Sequence, residues 1–302
     1  MTYLRNTLII MLFFSMAIYA DGSNGATGLS FLKIGADARG AGMGDAFTAV
    51  SNDANATYWN PAGLAFASRS NATFQHNSWL QGIRSEYGAL QFKGEKSSLA
   101  FHAYAMSIGE IEVRTIPSSE PLEETSANYT SVGVSYARLL SPDFSFGITA
   151  KYLYEKIFIY SASGYAADLG VSYRGLMPNL TLAASFANLG SMNEFRTEST
   201  DLPKILRLGG MYERSQLTKD IGVLLAADFV KPLEEGARFS VGLEATVKKL
   251  ILLRSGFISG SETRNVSFGV GIAKSAFRFD YAFTPVSDDL GSSQRFSLYL
   301  GL

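Results

Sequence analysis

From Ser70 to the last residue, large apolar side chains recur at every second position. Phe144, Phe146, Ile148, Ala150, Tyr152 and Tyr154 alternate with Ser145, Gly147, Thr149, Lys151 and Leu153. Phe239, Val241, Leu243, Ala245 and Val247 alternate with Ser240, Gly242, Glu244 and Thr246. The runs Val266–Ala273 and Phe277–Phe283 repeat the design. A period of two puts the bulky residues on one face of a β-strand and the small or charged ones on the other. A soluble sandwich turns the apolar face inward. A transmembrane barrel turns it to lipid. Four features select the barrel. The runs reach roughly 9–11 residues, enough for a tilted strand to cross a bilayer. The second face is rich in Gly, Ala and Ser, as a confined lumen requires. Tyr152, Tyr154, Tyr173 and Tyr212 lie near strand ends, where an aromatic girdle forms. An exported chain that closes on the strand-like run Arg295–Leu302 fits the same design, with Phe296, Leu298, Leu300 and Leu302 on one face.

The runs number about fourteen, and an even count is the rule for bacterial outer-membrane barrels. The early ones are placed at 97–106, 128–139, 144–154 and 165–174. Short connections are expected at Gly94–Lys96, Leu140–Asp143, Gly175–Asn179, Lys248–Lys249 and Lys274–Ala276. Long ones are expected at Ser107–Ala127, between the fifth and sixth strands, at Gly190–Pro203 and at Pro285–Gln294. Short turns face the periplasm and long loops face outward. With an even count both ends of the barrel then lie on the periplasmic side. Register arguments add two inward ion pairs, Lys151 opposite Asp168 and Glu244 opposite Arg254, each contributing about 0.2–1 kcal/mol.

The first residues carry an address. Arg5 precedes the apolar run Leu8–Ala17, and Ala20 is a small residue before Asp21. This reads as a secretory signal peptide over residues 1–20, too short in its apolar part to be a membrane anchor. The chain contains no cysteine, two histidines and a formal net charge of -1. Disulfides, thiolate metal sites and cysteine nucleophiles are excluded. Nucleic-acid binding, which needs a basic patch, has no support. His76 and His102 stand far apart, so neither a metal site nor a hydrolytic triad is indicated. The inward carboxylates Asp168, Asp228, Glu244 and Asp280 read as partners of Arg and Lys on the same faces rather than as acid–base pairs. Asp288-Asp289 reads as a solvated turn that could touch a cation. No enzyme and no cofactor are expected.

Residues 21–68 belong to no strand. This segment holds Gly40, Gly42 and Gly44, followed by Asp45, and later Asn60, Pro61, Ala62 and Gly63. The glycine spacing does not fit a phosphate cradle, which needs a preceding strand and a following helix. It fits tight turns and close packing. Asp53 is placed to cap a short helix over Ala54–Trp59, and Asn60-Pro61 to end it. Eight-stranded barrels are filled by their own side chains, whereas sixteen leave a channel. A barrel of about fourteen therefore needs a filler, and residues 21–68 are the only uncommitted segment of sufficient size. The expected organisation is a signal peptide (1–20), a helical lumen plug (21–68) and an all-β, closed antiparallel barrel (69–302).

The stretch FLKIGADARGAGMGDAFTAV followed by NATYWNPAGLA resembles the N-terminal signature of the PorV/PorQ family, relatives of the FadL long-chain fatty acid transporters. Asn60-Pro61-Ala62 is similar to the short NPA element of that wider group. The closing run FRFDYAFTPVSDDLGSSQRFSLYLGL is similar to the family's last hairpin. The resemblance implies a fourteen-stranded outer-membrane barrel with an N-terminal plug. It also implies a part in type IX-like protein secretion and surface attachment, by binding exported proteins or partner barrels. The FadL kinship implies the alternative, passive transport of hydrophobic small molecules such as fatty acids and hydrocarbons. That alternative expects an apolar cavity beside the plug and a lateral gap near a kinked strand. Outer-membrane lipid is the partner common to both.

Overall fold

The computed structural model describes residues 27–302 except 80–81, 114–120, 196–197, 200, 262–263 and 288–290. The proposed signal peptide and the Asp288-Asp289 pair lie outside the described residues. Fourteen strands form one closed barrel: β1 Asn71–Ser78, β2 Arg84–Lys93, β3 Ser97–Val113, β4 Glu123–Leu139, β5 Phe144–Ile157, β6 Tyr160–Tyr173, β7 Leu180–Met192, β8 Ile205–Arg214, β9 Ile221–Pro232, β10 Arg238–Val247, β11 Ile251–Ser259, β12 Val266–Lys274, β13 Phe277–Val286 and β14 Gly291–Gly301. Each pairs antiparallel with its sequence neighbours, and β1 closes on β14 from Asn71 opposite Gly301 to Ser78 opposite Gln294. Two further strands of two residues each, Glu194–Phe195 and Glu198–Ser199, pair outside the barrel between β7 and β8.

The bulky face of every zigzag points out. Phe146, Val241 and Phe268 are 37%, 50% and 53% exposed, while Ser145, Thr149, Ser240 and Ser267 behind them are buried. A continuous apolar belt of this extent is untenable in water and is what a hydrocarbon layer requires. Closure also leaves no free sheet edge within the bilayer, where an unpaired backbone group would go unsatisfied.

Several strands run longer than the apolar alternation indicates. β3 and β4 each span 17 residues and β5 and β6 each span 14. Their outer portions carry residues such as Ser107, Glu112, Glu124 and Asn128. There the apolar period stops because the strand has left the lipid, yet backbone pairing continues without it. The loop expected at Ser107–Ala127 is therefore largely hairpin, with Ile111 opposite Thr125. The long loop expected between β5 and β6 is a two-residue turn, because Ile157 already faces Tyr160. The loop expected at Pro285–Gln294 is likewise consumed by pairing up to Val286 opposite Gly291. The strand ends Val113 and Glu123, and Met192 and Ile205, lie at the end of the barrel opposite Asn71 and Gly301.

The turn between β10 and β11 carries two non-glycine residues in the left-handed region, Lys248 at φ 51° and Lys249 at φ 55°. This is the geometry of a type I′ hairpin, which favours Asn-Gly. Left-handed backbone costs an ordinary residue about 1–2 kcal/mol. The double variant Lys248→Asn/Lys249→Gly should raise the urea midpoint of the refolded barrel in micelles, by the equivalent of about 1–2 kcal/mol.

Residues 28–67 sit inside the wall. Phe31, Met43, Phe47, Trp59 and Leu64 are all buried. The segment is built from short pieces: a 3₁₀ turn Ser30–Lys33, helix α1 Ala38–Gly42, helix α2 Ala56–Trp59 and a 3₁₀ turn Pro61–Phe66. Asp37 caps α1 by accepting from the Gly40 amide at 2.6 Å. Asp53 does not cap α2. The helix starts only at Ala56, and the Ala54 amide donates to Asn71 Oδ1 at 2.8 Å. Asp53 Oδ1 accepts instead from the Asn55 amide at 3.0 Å. Asn60 ends α2 and also starts the next turn, its side chain accepting from the Ala62 amide at 3.1 Å.

Candidate functional site

The plug grips two walls that lie half a barrel apart. On one side, Asn60-Pro61-Ala62 rests on β5 and β6. Asn60 Nδ2 donates to the Val171 carbonyl at 3.1 Å and to Ser172 Oγ at 3.0 Å, and Ser145 Oγ donates to the Ala62 carbonyl at 3.0 Å. The wall has glycine beneath this element. A Cβ on Gly147 would lie 2.3 Å from Pro61 C, and one on Gly170 would lie 2.0 Å from Asn60 Oδ1. Gly63 folds tightly onto Ser51, whose carbonyl a Cβ would meet at 2.0 Å.

On the other side, Gly40-x-Gly42-x-Gly44 lies against β10–β13. Gly42 meets Gly269, where an added Cβ would approach to 3.0 Å. Gly44, at φ 65°, meets Gly256, whose own added Cβ would fall 2.0 Å from the Gly44 nitrogen. Backbone on backbone is the only fit at this point, so glycine is required on both partners. Gly40 is pinned against Asp37, and Asp45 pairs with Arg264 at 3.1 Å.

A chain of alternating charges reinforces this second grip. Arg39 of α1 donates to both oxygens of Glu244 at 2.8 and 2.7 Å. Glu244 stands opposite Arg254 and accepts from its Nε at 2.6 Å. Arg254 Nη1 lies 2.8 Å from Asp280 Oδ1, close enough for an ion pair but off the hydrogen-bond line. Asp280 accepts from Arg278 Nε at 2.8 Å, and Arg278 reaches plug Asp53 at 3.2 Å. The series thus leaves the plug at Arg39, passes through residues of β10, β11 and β13 and returns at Asp53. A further anchor is Asp228, whose Oδ2 accepts from the Phe47 and Thr48 amides at 3.0 and 2.8 Å.

The second expected pair forms by a different register. Lys151 lies opposite Ala166, and Asp168 opposite Thr149. The tight turn after Ile157 shifts the pairing by two residues from the expected one. The side chains still meet diagonally, Lys151 Nζ to Asp168 Oδ1 at 2.7 Å. Asn188 joins them, accepting from Lys151 at 2.5 Å and donating its amide to Asp168 at 2.7 Å. Its φ of 63° coincides with a register shift between β6 and β7 at Ala167/Leu169, so the cluster seals a bulge in the wall. Sequence parity placed Lys151 and Asp168 inside, but Asn188 carries no signal short of the bulge itself.

Asp37 lies beside the charge chain. Burial, then the neighbouring Asp53 charge, raise its carboxyl to about 7. The detached plug would have an ordinary aspartate, near 3.8. The docked form therefore binds the proton more tightly, and acid favours docking. That advantage is lost as pH rises from about 4 to about 7 and stays lost above. Unfolding followed through Trp59 should show a higher urea midpoint at pH 5 than at pH 8. Asp37→Asn should reduce that difference.

Two spaces among the described residues lie beside the plug. One is lined by Tyr87, His102, Tyr104, Lys151, Asp168 and Arg207. The other opens near the barrel end away from Asn71, beside Lys33, Asp45, Arg207, Arg238 and Arg264. Charged and hydroxyl-bearing groups dominate the first, whereas the second mixes charged groups with Trp59, Ile205, Val230, Pro232 and Ile258. Among the described residues, no group of three His, Asp or Glu could hold a metal ion.

A family model described as type IX secretion system protein PorV matches residues 20–177. A search of curated proteins finds no match. Among solved structures, the monoaromatic hydrocarbon channel CymD aligns with a TM-score of 0.61 at 12% identity, over 92% of this chain and 99% of its own. The Pseudomonas putida toluene transporter TodX aligns with a TM-score of 0.60 at 12% identity, over 88% and 96%. A Pseudomonas aeruginosa FadL homologue aligns with a TM-score of 0.58 at 11% identity, over 92% and 98%. At such identities the likeness concerns the fold: a closed outer-membrane barrel with FadL-like architecture.

Proposed function

We propose, for a chain that belongs to the PorV family of type IX secretion system proteins, that this outer-membrane barrel serves protein secretion and surface attachment by binding exported proteins or partner barrels. The observation that carries the reading is the plug held at two opposite walls by glycine seats and a buried charge chain. A lumen stoppered in this way favours work at the outer surface over conduction. The hairpins that rise past the apolar belt, β3–β4 and β5–β6, supply that surface. In this reading residues 1–20 are the export signal, 21–68 the plug and 69–302 the barrel. Gly40, Gly42, Gly44, Asp45 and the Asn60–Gly63 element hold the plug or gate its release. Families and structural neighbours of this kind are channels, transporters and secretion components rather than enzymes.

Native purification from the outer membrane, with mass spectrometry of bound proteins and lipids, tests the proposal. Co-purification of exported proteins or another secretion barrel at near-stoichiometric level is expected. Recovery of neither protein nor small molecule would favour a purely structural barrel. A second reading, FadL-like passive transport of hydrophobic small molecules, draws on the wall bulge at Ala167/Leu169, where backbone pairing is interrupted. Recovery of a bound hydrocarbon or fatty acid without protein would select it.

A further inference from the structure

The space near the outer end of the barrel is lined by a buried guanidinium without an ion-pair partner among the described residues. It lies between the plug and the upper parts of β8–β11 and opens toward that end of the barrel. Most charges around it are matched. Lys33 and Arg238 share Glu235 at 2.5 and 3.0 Å, and Arg264 holds Asp45 at 3.1 Å. Arg207 is different. It is 4% exposed, its Nη1 has no hydrogen-bond partner, and no carboxylate lies within ion-pair distance among the described residues. Asp228, on the adjacent strand opposite Gly209, commits Oδ2 to the Phe47 and Thr48 amides, and its buried Oδ1, itself without a hydrogen-bond partner, lies beyond ion-pair distance of Arg207. The Arg207 guanidinium sits over Tyr58 at 5.3 Å and over Trp59 at 5.8 Å. Trp59, which lines the same cleft, has a buried indole N–H without an acceptor.

A buried guanidinium stacked on aromatic rings is positioned, but stacking leaves its in-plane N–H donors unused. Buried charges are ordinarily paired, so such an orphan facing a cavity points to a missing anion. The planar fork matches a carboxylate, which can accept two parallel hydrogen bonds from it. Ile205 and Ile258 on the flanking walls exclude water and strengthen the attraction. We propose that this cleft is a carboxylate-binding site whose anchor is Arg207, with Tyr58 and Trp59 as its floor. The carboxylate could belong to a free small acid or to the end of a peptide chain, since the recognised group is the same. The site is argued from the cleft alone and stands apart from the secretion reading.

Trp59 provides the readout. The sequence has two tryptophans, so Trp79→Phe leaves Trp59 as the sole reporter. The full-length barrel in nanodiscs is titrated with sodium acetate replacing sodium chloride at constant ionic strength and pH. A saturable change in Trp59 emission is expected. Arg207→Lys, which keeps the charge but loses the fork, should weaken it about tenfold, and Arg207→Gln should abolish it. Parallel titrations with acetyl-triglycine and its C-terminal amide separate the sources. Tighter binding of the free acid than of acetate indicates a peptide terminus, and equal binding indicates a small acid. A linear or absent response to both acids, or an equal response to perchlorate, overturns the proposal. If Arg207→Gln fails to fold, Arg207→Lys decides, and an affinity unchanged from that of the parent overturns it.

Discussion

Deleting residues 22–67 from the mature chain should convert a nearly silent barrel into an ion-conducting pore in planar bilayers. A filled eight-stranded barrel and an aqueous sixteen-stranded one bracket this fourteen-stranded wall, so the expected rise in conductance is of order tenfold or more. The wall should survive the loss of its filling. Its backbone pairing is complete without the plug, from β1 through β14 and back. The lumen face revealed is largely Ser, Gly, Thr, Ala and charge, which water can solvate, with Tyr87, Tyr104, Leu153, Met211 and Leu224 newly exposed among them. What is lost is the burial of Phe31, Met43, Phe47, Trp59 and Leu64, each about 1.5–3 kcal/mol at most, together with the two grips. A lower urea midpoint with intact β-signal should accompany the new conductance. Conductance equal to that of the parent chain would mean that the lumen is closed by something other than its first segment.

The fold was largely legible, because the decisive signal is local. A period of two survives uncertainty about strand ends, and it places Phe146, Val241 and Phe268 outward whichever register is chosen. Register itself was legible only where a turn marked it. Lys248-Lys249 separates two clean alternations, and Glu244 does stand opposite Arg254. Phe158-Ile159 carries no Gly, Asn or Pro, although Phe158 sits at φ 56°, so nothing in the residue types announced a turn there. The outer halves of β3–β6 were missed for a related reason. Outside the lipid a hairpin no longer needs an apolar face, and its polar residues read as loop. Asp37 and Asp53 are equal cap candidates by type, yet Asp37 caps its helix while the later helix begins two residues further on, after Asn55. Arg207 shows the same limit. Its parity places it inside, yet its lack of a carboxylate is decided by where the plug lies.

Replacing Arg254 by Met should be the most damaging single change in the lumen. Arg254, on β11, is fully buried between Glu244 on β10 and Asp280 on β13. Its removal leaves two buried carboxylates with one cation each, Arg39 for Glu244 and Arg278 for Asp280. Breaking a buried pair from one side costs about 3–5 kcal/mol. The remaining partners keep the loss near the lower end of that range. Both remaining cations are also the ones that tie plug to wall, so the strain should reach the plug: Arg254→Met is expected to show intermittent conductance that the parent lacks. Glu244→Gln in the same chain removes one orphaned charge and should recover part of the stability. A double-mutant cycle from urea unfolding in micelles then isolates the coupling between Glu244 and Arg254. If the two single losses simply add, the chain of charges is a set of independent contacts. Coupling above about 1 kcal/mol means that wall and plug are held by one connected network.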